Sequence, residues 1–229
     1  MEMVYIPAGE FIMGTEKGKG DNSEYPQHTI YLDAYWMDKT EVTNAMYQKC
    51  VDAGICLPST YADPSRSHPE YTKPDLPIME ISWFDARSYC KWVGRRLPTE
   101  AEWEKSARGT DGRIYPWGNS YDCSIANTDE LCDPYKDNAP VGSFPEGASP
   151  YGVLDLAGNV SEWVADWYKF DYYVHSPYRN PLGPETGQNK VIRGGGSFGP
   201  LIRSARREQV RPTYRHFAMG FRCAISSND

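Results

Sequence analysis

The chain has 229 residues, enough for one large domain or two small ones, and no Ser/Gly/Pro-rich linker or charge block divides it, so a single domain over 1–229 is expected. Its 40% hydrophobic and 14% aromatic content, with 17 Tyr and 7 Trp, excludes wholesale disorder. A net charge of -7 argues against a general nucleic-acid binder, because phosphate neutralisation needs a basic surface.

In chain order, Val4-Tyr5-Ile6 and Glu10 to Met13 flank Pro7-Ala8-Gly9, which reads as a β-hairpin. His28 to Leu32 is a further strand. Thr43 is placed to cap a helix running to about Ala53, where Gly54 stops it. Ser82 with Asp85 opens the next helix, which puts Ala86, Tyr89, Cys90 and Val93 on one face and ends at Gly94. Thr99 and Glu102 form a second capping box, opening a short helix that ends before Gly109. The second half reads as almost all loop, with Val191-Ile192-Arg193 and Gly220 to Ile225 as its best strands. Loops this long need pins, and Trp117, Trp163 and Trp167 are candidates beside the cysteines.

Six cysteines occur without a Cys-x-x-Cys, so zinc ribbons and thioredoxin-like motifs are unsupported. Cys50 and Cys56 can close one small loop and Cys123 and Cys132 another, leaving Cys90 with Cys223. Three bridges imply an oxidising compartment. Residues 1–20 hold no apolar stretch long enough for a signal peptide, and no transmembrane span occurs. An extracytoplasmic or secreted ectodomain or mature form reconciles these facts, with no direct membrane insertion.

Charge is unevenly spread. Residues 193–222 carry seven Arg and one acid, Glu208, for a net +6, which leaves -13 on the rest of the chain. These arginines either pair internally with the acidic remainder or form a recognition surface for an acidic or aromatic ligand.

Eight motifs in order resemble the formylglycine-generating-enzyme (sulfatase-modifying factor) family. They are Ile6 to Gly14, Thr40 to Asn44, Ile81 to Ala86, Arg96 to Glu104, Tyr115 to Gly118, Gly158 to Trp163, Arg193 to Ser197 and Gly220 to Cys223. The resemblance implies an α+β, C-type-lectin-like fold with little regular secondary structure, long loops and paired terminal strands. It matches Cys90 and Cys223 to a family bridge. A second family bridge would need cysteines near Ala107 and Ser204, where none stands. The same fold and closing motif are similar to variable proteins of diversity-generating retroelements, and to sensor domains attached to bacterial kinases.

The resemblance also implies structural calcium. One site would use Asn127, the Thr128 carbonyl, Asp133 and the Tyr135 carbonyl; a second would use Asn159 and Glu162 with intervening carbonyls such as that of Val160. Such mixed carboxylate and carbonyl oxygens suit calcium; the alternative is that Asn127 and Asn159 only form side-chain turns. No two of His28, His68, His175 and His216 have helical ligand spacing, and all read as ordinary surface residues.

The family's oxidases hold copper(I) through two cysteines shortly after the segment matching Gly195-Gly196-Ser197, as soft thiolates are needed. Here no Cys lies between Cys132 and Cys223, so no copper is expected. Ser197 lacks an evident His partner, and a Tyr214–Arg215 acid/base pair is weaker than a binding role for the tyrosine. A non-catalytic domain that binds a protein or small-molecule ligand through residues 198–218 is therefore expected. Phe198, Arg206, Glu208, Gln209, Thr213, Tyr214, His216 and Phe217 are its candidate contacts, since Arg and aromatics dominate interface energetics. The alternative is a divergent metal-dependent oxidase or oxygenase acting on a protein or small thiol.

Overall fold

The computed structural model describes residues 1–62, 68–128, 132, 134–135, 137–196 and 201–227. Its strands are β1 (Met3–Ile6), β2 (Gly9–Met13), β3 (His28–Leu32), β4 (Tyr35–Asp38), β5 (Ser161–Trp167), β6 (Lys190–Arg193), β7 (Glu208–Val210), β8 (Met219–Gly220) and β9 (Ala224–Ser226). Three α-helices occur among the described residues, α1 (Asn44–Asp52), α2 (Trp83–Trp92) and α3 (Glu100–Arg108).

Local chemistry sets the helices. Thr43 accepts from the Met46 amide and caps α1. Ser82 with Asp85, and Thr99 with Glu102, form complete capping boxes at α2 and α3. Gly94 and Gly109 follow with φ of 73° and 67°, in the region that favours glycine.

Strand pairing differs from the sequence expectation. The segments on either side of Pro7-Ala8-Gly9 do not pair with each other: β1 pairs with β4, and β2 with β3, both antiparallel. The turn thus carries the chain from one sheet to another instead of closing a hairpin. The two ends of the chain do share a sheet, in the order β1-β4-β9, with β4 between them. The remaining sheet, β7-β6-β5-β8, contains a strand the sequence did not announce. All of β5 but Ala165 and Trp167 is buried, so it lacks the alternation that marks a half-exposed strand. The expected closing strand is two short ones, β8 and β9, separated by Phe221-Arg222-Cys223.

Among the described residues, a small apolar cluster around Tyr115 and Ile202 and two large ones form the core. One gathers Phe11, Met13, Ile30, Tyr35 and Trp103 between the sheets and α3. The other packs α1 and α2 through Tyr47, Trp83 and Tyr89 on Trp163 and Phe221. Three disulfides staple the loops, Cys50–Cys56, Cys90–Cys223 and Cys123–Cys132, so every cysteine is bridged as paired from sequence. Among the described residues no helix is long and apolar enough to cross a membrane.

Candidate functional site

The arginine-rich segment turns mostly inward. Arg193 pairs with Glu100 at 3.0 Å and Glu104 at 2.7 Å, and Arg207 with Glu100 at 2.8 Å, all essentially buried. Arg203 holds Glu24 at 2.6 Å, Arg215 holds Asp85 at 2.8 Å, and Arg222 holds Glu162 at 2.7 Å. Arg206 lies 2.7 Å from Glu208 and 4.0 Å from Asp21. Internal pairing therefore accounts for six of the seven arginines, more than half. Only Arg211 stands exposed with no acid partner among the described residues.

The candidate contacts fall in two groups. Arg206, Glu208 and Gln209 lie on or beside β7, where Gln209 is exposed and accepts from Asn189 at 2.9 Å. Thr213, Tyr214, His216 and Phe217 sit in the loop before β8. Tyr214 and Phe217 are 49% and 51% exposed, so both stand at the surface. His216 lies between them in sequence and touches both rings, with centroids 5.8 Å from Tyr214 and 4.3 Å from Phe217.

That loop is held from behind. Arg215 donates to Asp85 at 2.8 Å and to the Glu80 carbonyl at 3.2 Å. The Trp83 amide donates to the Pro212 carbonyl at 3.0 Å, and the Glu80 amide to that of His216 at 3.2 Å. Arg215 is thus a positioning residue, and the aromatic trio is presented on a fixed base. Phe198 and Ser197 lie outside the described residues.

Of the expected calcium ligands, Asn127 and Asn159 lie against each other at Gly158-Asn159. Gly158 has φ of 84°, and a Cβ there would lie 2.2 Å from the Asn127 carbonyl oxygen, so the motif requires glycine. Asn159, at φ of 56°, donates its amide to that same carbonyl at 2.8 Å. Its Oδ1 accepts from Asn127 Nδ2 and from the Ala139 amide, both at 3.0 Å. Thr128 and Val160 are buried nearby in sequence, while Tyr135 donates its hydroxyl to Ser143 at 3.3 Å. Asp133 lies outside the described residues.

Glu162 is heavily engaged. Arg222 donates to both its oxygens at 2.7 Å, and the Trp103 indole donates to one at 2.9 Å. Two acids that the sequence reading passed over accompany it, buried Glu41 and half-buried Asp155. Burial and then repulsion from Asp155 and Glu162 push the Glu41 carboxyl up, and burial pushes Asp155 up. Both shifts favour the neutral acid, while Arg222 stays committed to Glu162. The signal for Glu41 was present, an acid inside the Thr40 to Asn44 motif; nothing local marked Asp155. Among the described residues no three Asp, Glu, His or Cys side chains converge closely enough to hold a metal alone, so any ion there would draw on carbonyl oxygens too.

A second feature went unread in the sequence. Lys190 is buried with its ammonium 4.0 Å from the Trp83 ring centroid and 3.8 Å from that of Trp167. It donates to the Ala165 carbonyl at 2.7 Å, and burial lowers its pKa to about 8.

Short strands, three capped helices and disulfide-stapled loops define a C-type-lectin-like α+β domain of the formylglycine-generating type. The sulfatase-modifying factor enzyme 1-like domain model matches residues 1–227, and the chain belongs to that family. It is 32% identical to the formylglycine-generating enzyme of Bos taurus, over 97% of this chain and 74% of the relative. It is 37% identical to the serine/threonine-protein kinase pkn1 of Chlamydia caviae over 97% of its own length, but spans only 38% of that kinase. Among solved structures, PvdO from Pseudomonas aeruginosa superposes with a TM-score of 0.84 at 28% identity, covering 98% of this chain and 94% of that one. Treponema denticola variable protein 1 shares the fold with a TM-score of 0.78 at 24% identity, covering 98% and 94%.

Proposed function

We propose that this chain is a non-catalytic binding domain that presents its C-terminal segment, residues 198–218, to a protein or small-molecule ligand. The observation that carries this reading is the state of the cysteines: all six are bridged, so no thiolate is available for copper(I). Tyr214 and Phe217, exposed around His216 on a base fixed by Arg215, supply rigid aromatic contact area of the kind that dominates interfaces. The fold shared with the Treponema variable protein is compatible with a diversified binding surface here. Three disulfides favour an extracytoplasmic setting.

Calcium is the structural ion this reading calls for. Asn127, Asp133 and the carbonyls of Thr128 and Tyr135 are the candidates for one ion; Asn159, Glu162 and the Val160 carbonyl are those for another, with Glu41 close by through its contact with the Asn159 side chain.

Copper(I) titration followed by incubation with a cysteine-containing peptide tests the proposal. The expected result is no stoichiometric copper and no formylglycine; formylglycine in the peptide ends it. Similarity to the Bos taurus enzyme keeps a rival in play, a divergent metal-dependent oxidase or oxygenase. That rival requires stoichiometric iron or copper in metal analysis of the purified protein, where the binding reading requires calcium alone.

A further inference from the structure

A cavity of about 570 Å3 opens between the β3–β4 turn, α2 and the loop carrying Pro181 and Leu182. That volume falls within the roughly 300–1,000 Å3 of small-molecule sites. Leu32, Trp83, Leu97 and Leu182 supply its apolar walls, and Leu182 stands 72% exposed at the mouth. The lip is fixed to the sheet: Asn180 donates to Asp33 at 2.7 Å, and the Asp33 amide donates back to the Asn180 side chain at 2.9 Å.

The charge on these walls is not balanced. Arg95 and Arg96 are neutralised by Asp38 and Glu102, and Asp33 by Arg179. Arg87 and Lys91 also line the cavity, and no acid pairs with either among the described residues. They are exposed and one helical turn apart on α2, a like-charge spacing that destabilises a helix. Arg87 additionally lies 5.6 Å from the Trp83 ring centroid, which leaves its guanidinium edge free to take an anion.

We propose that this cavity binds a free, small amphipathic carboxylate. Its apolar body would lie against Leu32, Trp83, Leu97 and Leu182, and its carboxylate would be held by Arg87 and Lys91. A neutral ligand leaves both cations unpaired, and a cationic one is repelled. Charge-assisted bonds to an Arg fork and an ammonium supply both affinity and orientation. The proposal is independent of the aromatic loop at 213–217.

Decanoate is the probe, followed by isothermal titration calorimetry on the whole chain, with decanol and decyltrimethylammonium as comparisons. Saturable decanoate binding is expected, at least tenfold tighter than either comparison. It should weaken at least tenfold in Arg87→Gln/Lys91→Gln, whose exposed positions leave folding intact, as an unchanged melting temperature will show. Leu182→Asp, at the exposed mouth, should weaken it as well. Absence of saturable decanoate binding, equal affinity for decanol, or unchanged binding in the double variant each overturns the proposal. So does co-sedimentation with phosphatidylglycerol vesicles that is lost in the double variant, which would assign the two cations to a membrane surface.

Discussion

Arg207 donates from Nε and Nη2 to the two carboxylate oxygens of Glu100, each at 2.8 Å, and so ties the segment after β6 to the start of α3. Both residues are buried, and the guanidinium also lies 4.3 Å from the Tyr173 ring centroid. Removing Arg207 takes the two-point partner from buried Glu100 and leaves it the 3.0 Å ion pair with Arg193. Arg207→Met should cost about 3–5 kcal/mol in denaturant unfolding. Pairing it with Glu100→Gln should not add the two single losses, because the charges compensate each other. Strict additivity would mean that the pair is not coupled.

Those pairings explain what was legible in the sequence and what was not. Caps at Thr43, Ser82 and Thr99 rest on neighbours three residues away, so their chemistry can be read in a short window. An ion pair such as Arg203 with Glu24 spans 179 residues, and composition reveals the excess of arginine without its partners. Strand partners suffer the same way: β1 and β2 looked like a hairpin because they are adjacent, yet each pairs elsewhere. The buried strand β5 was missed because both its faces are covered. At the site, Tyr214 and Phe217 can be picked out by residue type and stand exposed, but the burial of Arg207 and Arg222 depends on acids far along the chain.

The disulfides should differ in worth according to the loops they close. Cys90–Cys223 spans 133 residues and Cys50–Cys56 only 6. Loop-closure entropy assigns the first about 5 kcal/mol and the second about 2 kcal/mol. Cys90→Ala/Cys223→Ala should therefore lower unfolding stability at least twice as much as Cys50→Ala/Cys56→Ala. Equal losses would show that native packing, not chain entropy, sets their value.

Chelation is the direct check on calcium. An ion present at a hundredfold over its dissociation constant stabilises the folded state by about 2.7 kcal/mol. For a chain of this size, that amounts to a fall of roughly 5–10 °C in melting temperature when excess chelator is added, restored by calcium. An unchanged melt removes the ion from the account.

Asp38 gives a pH signature of its own. It is buried in β4, where it pairs with Arg95 and accepts from the Cys223 amide at 2.9 Å. Burial outweighs both partners and raises its pKa from 3.8 to about 6. The folded state therefore binds this proton more tightly than the unfolded one. Its stabilising contribution is complete below about pH 4 and is lost as the pH rises through 6. Asp38→Asn cannot titrate, so the wild type should lose about 3 kcal/mol relative to it between pH 4 and pH 7. Parallel stability curves for the two proteins across that window would show that Arg95 already holds the carboxylate ionised.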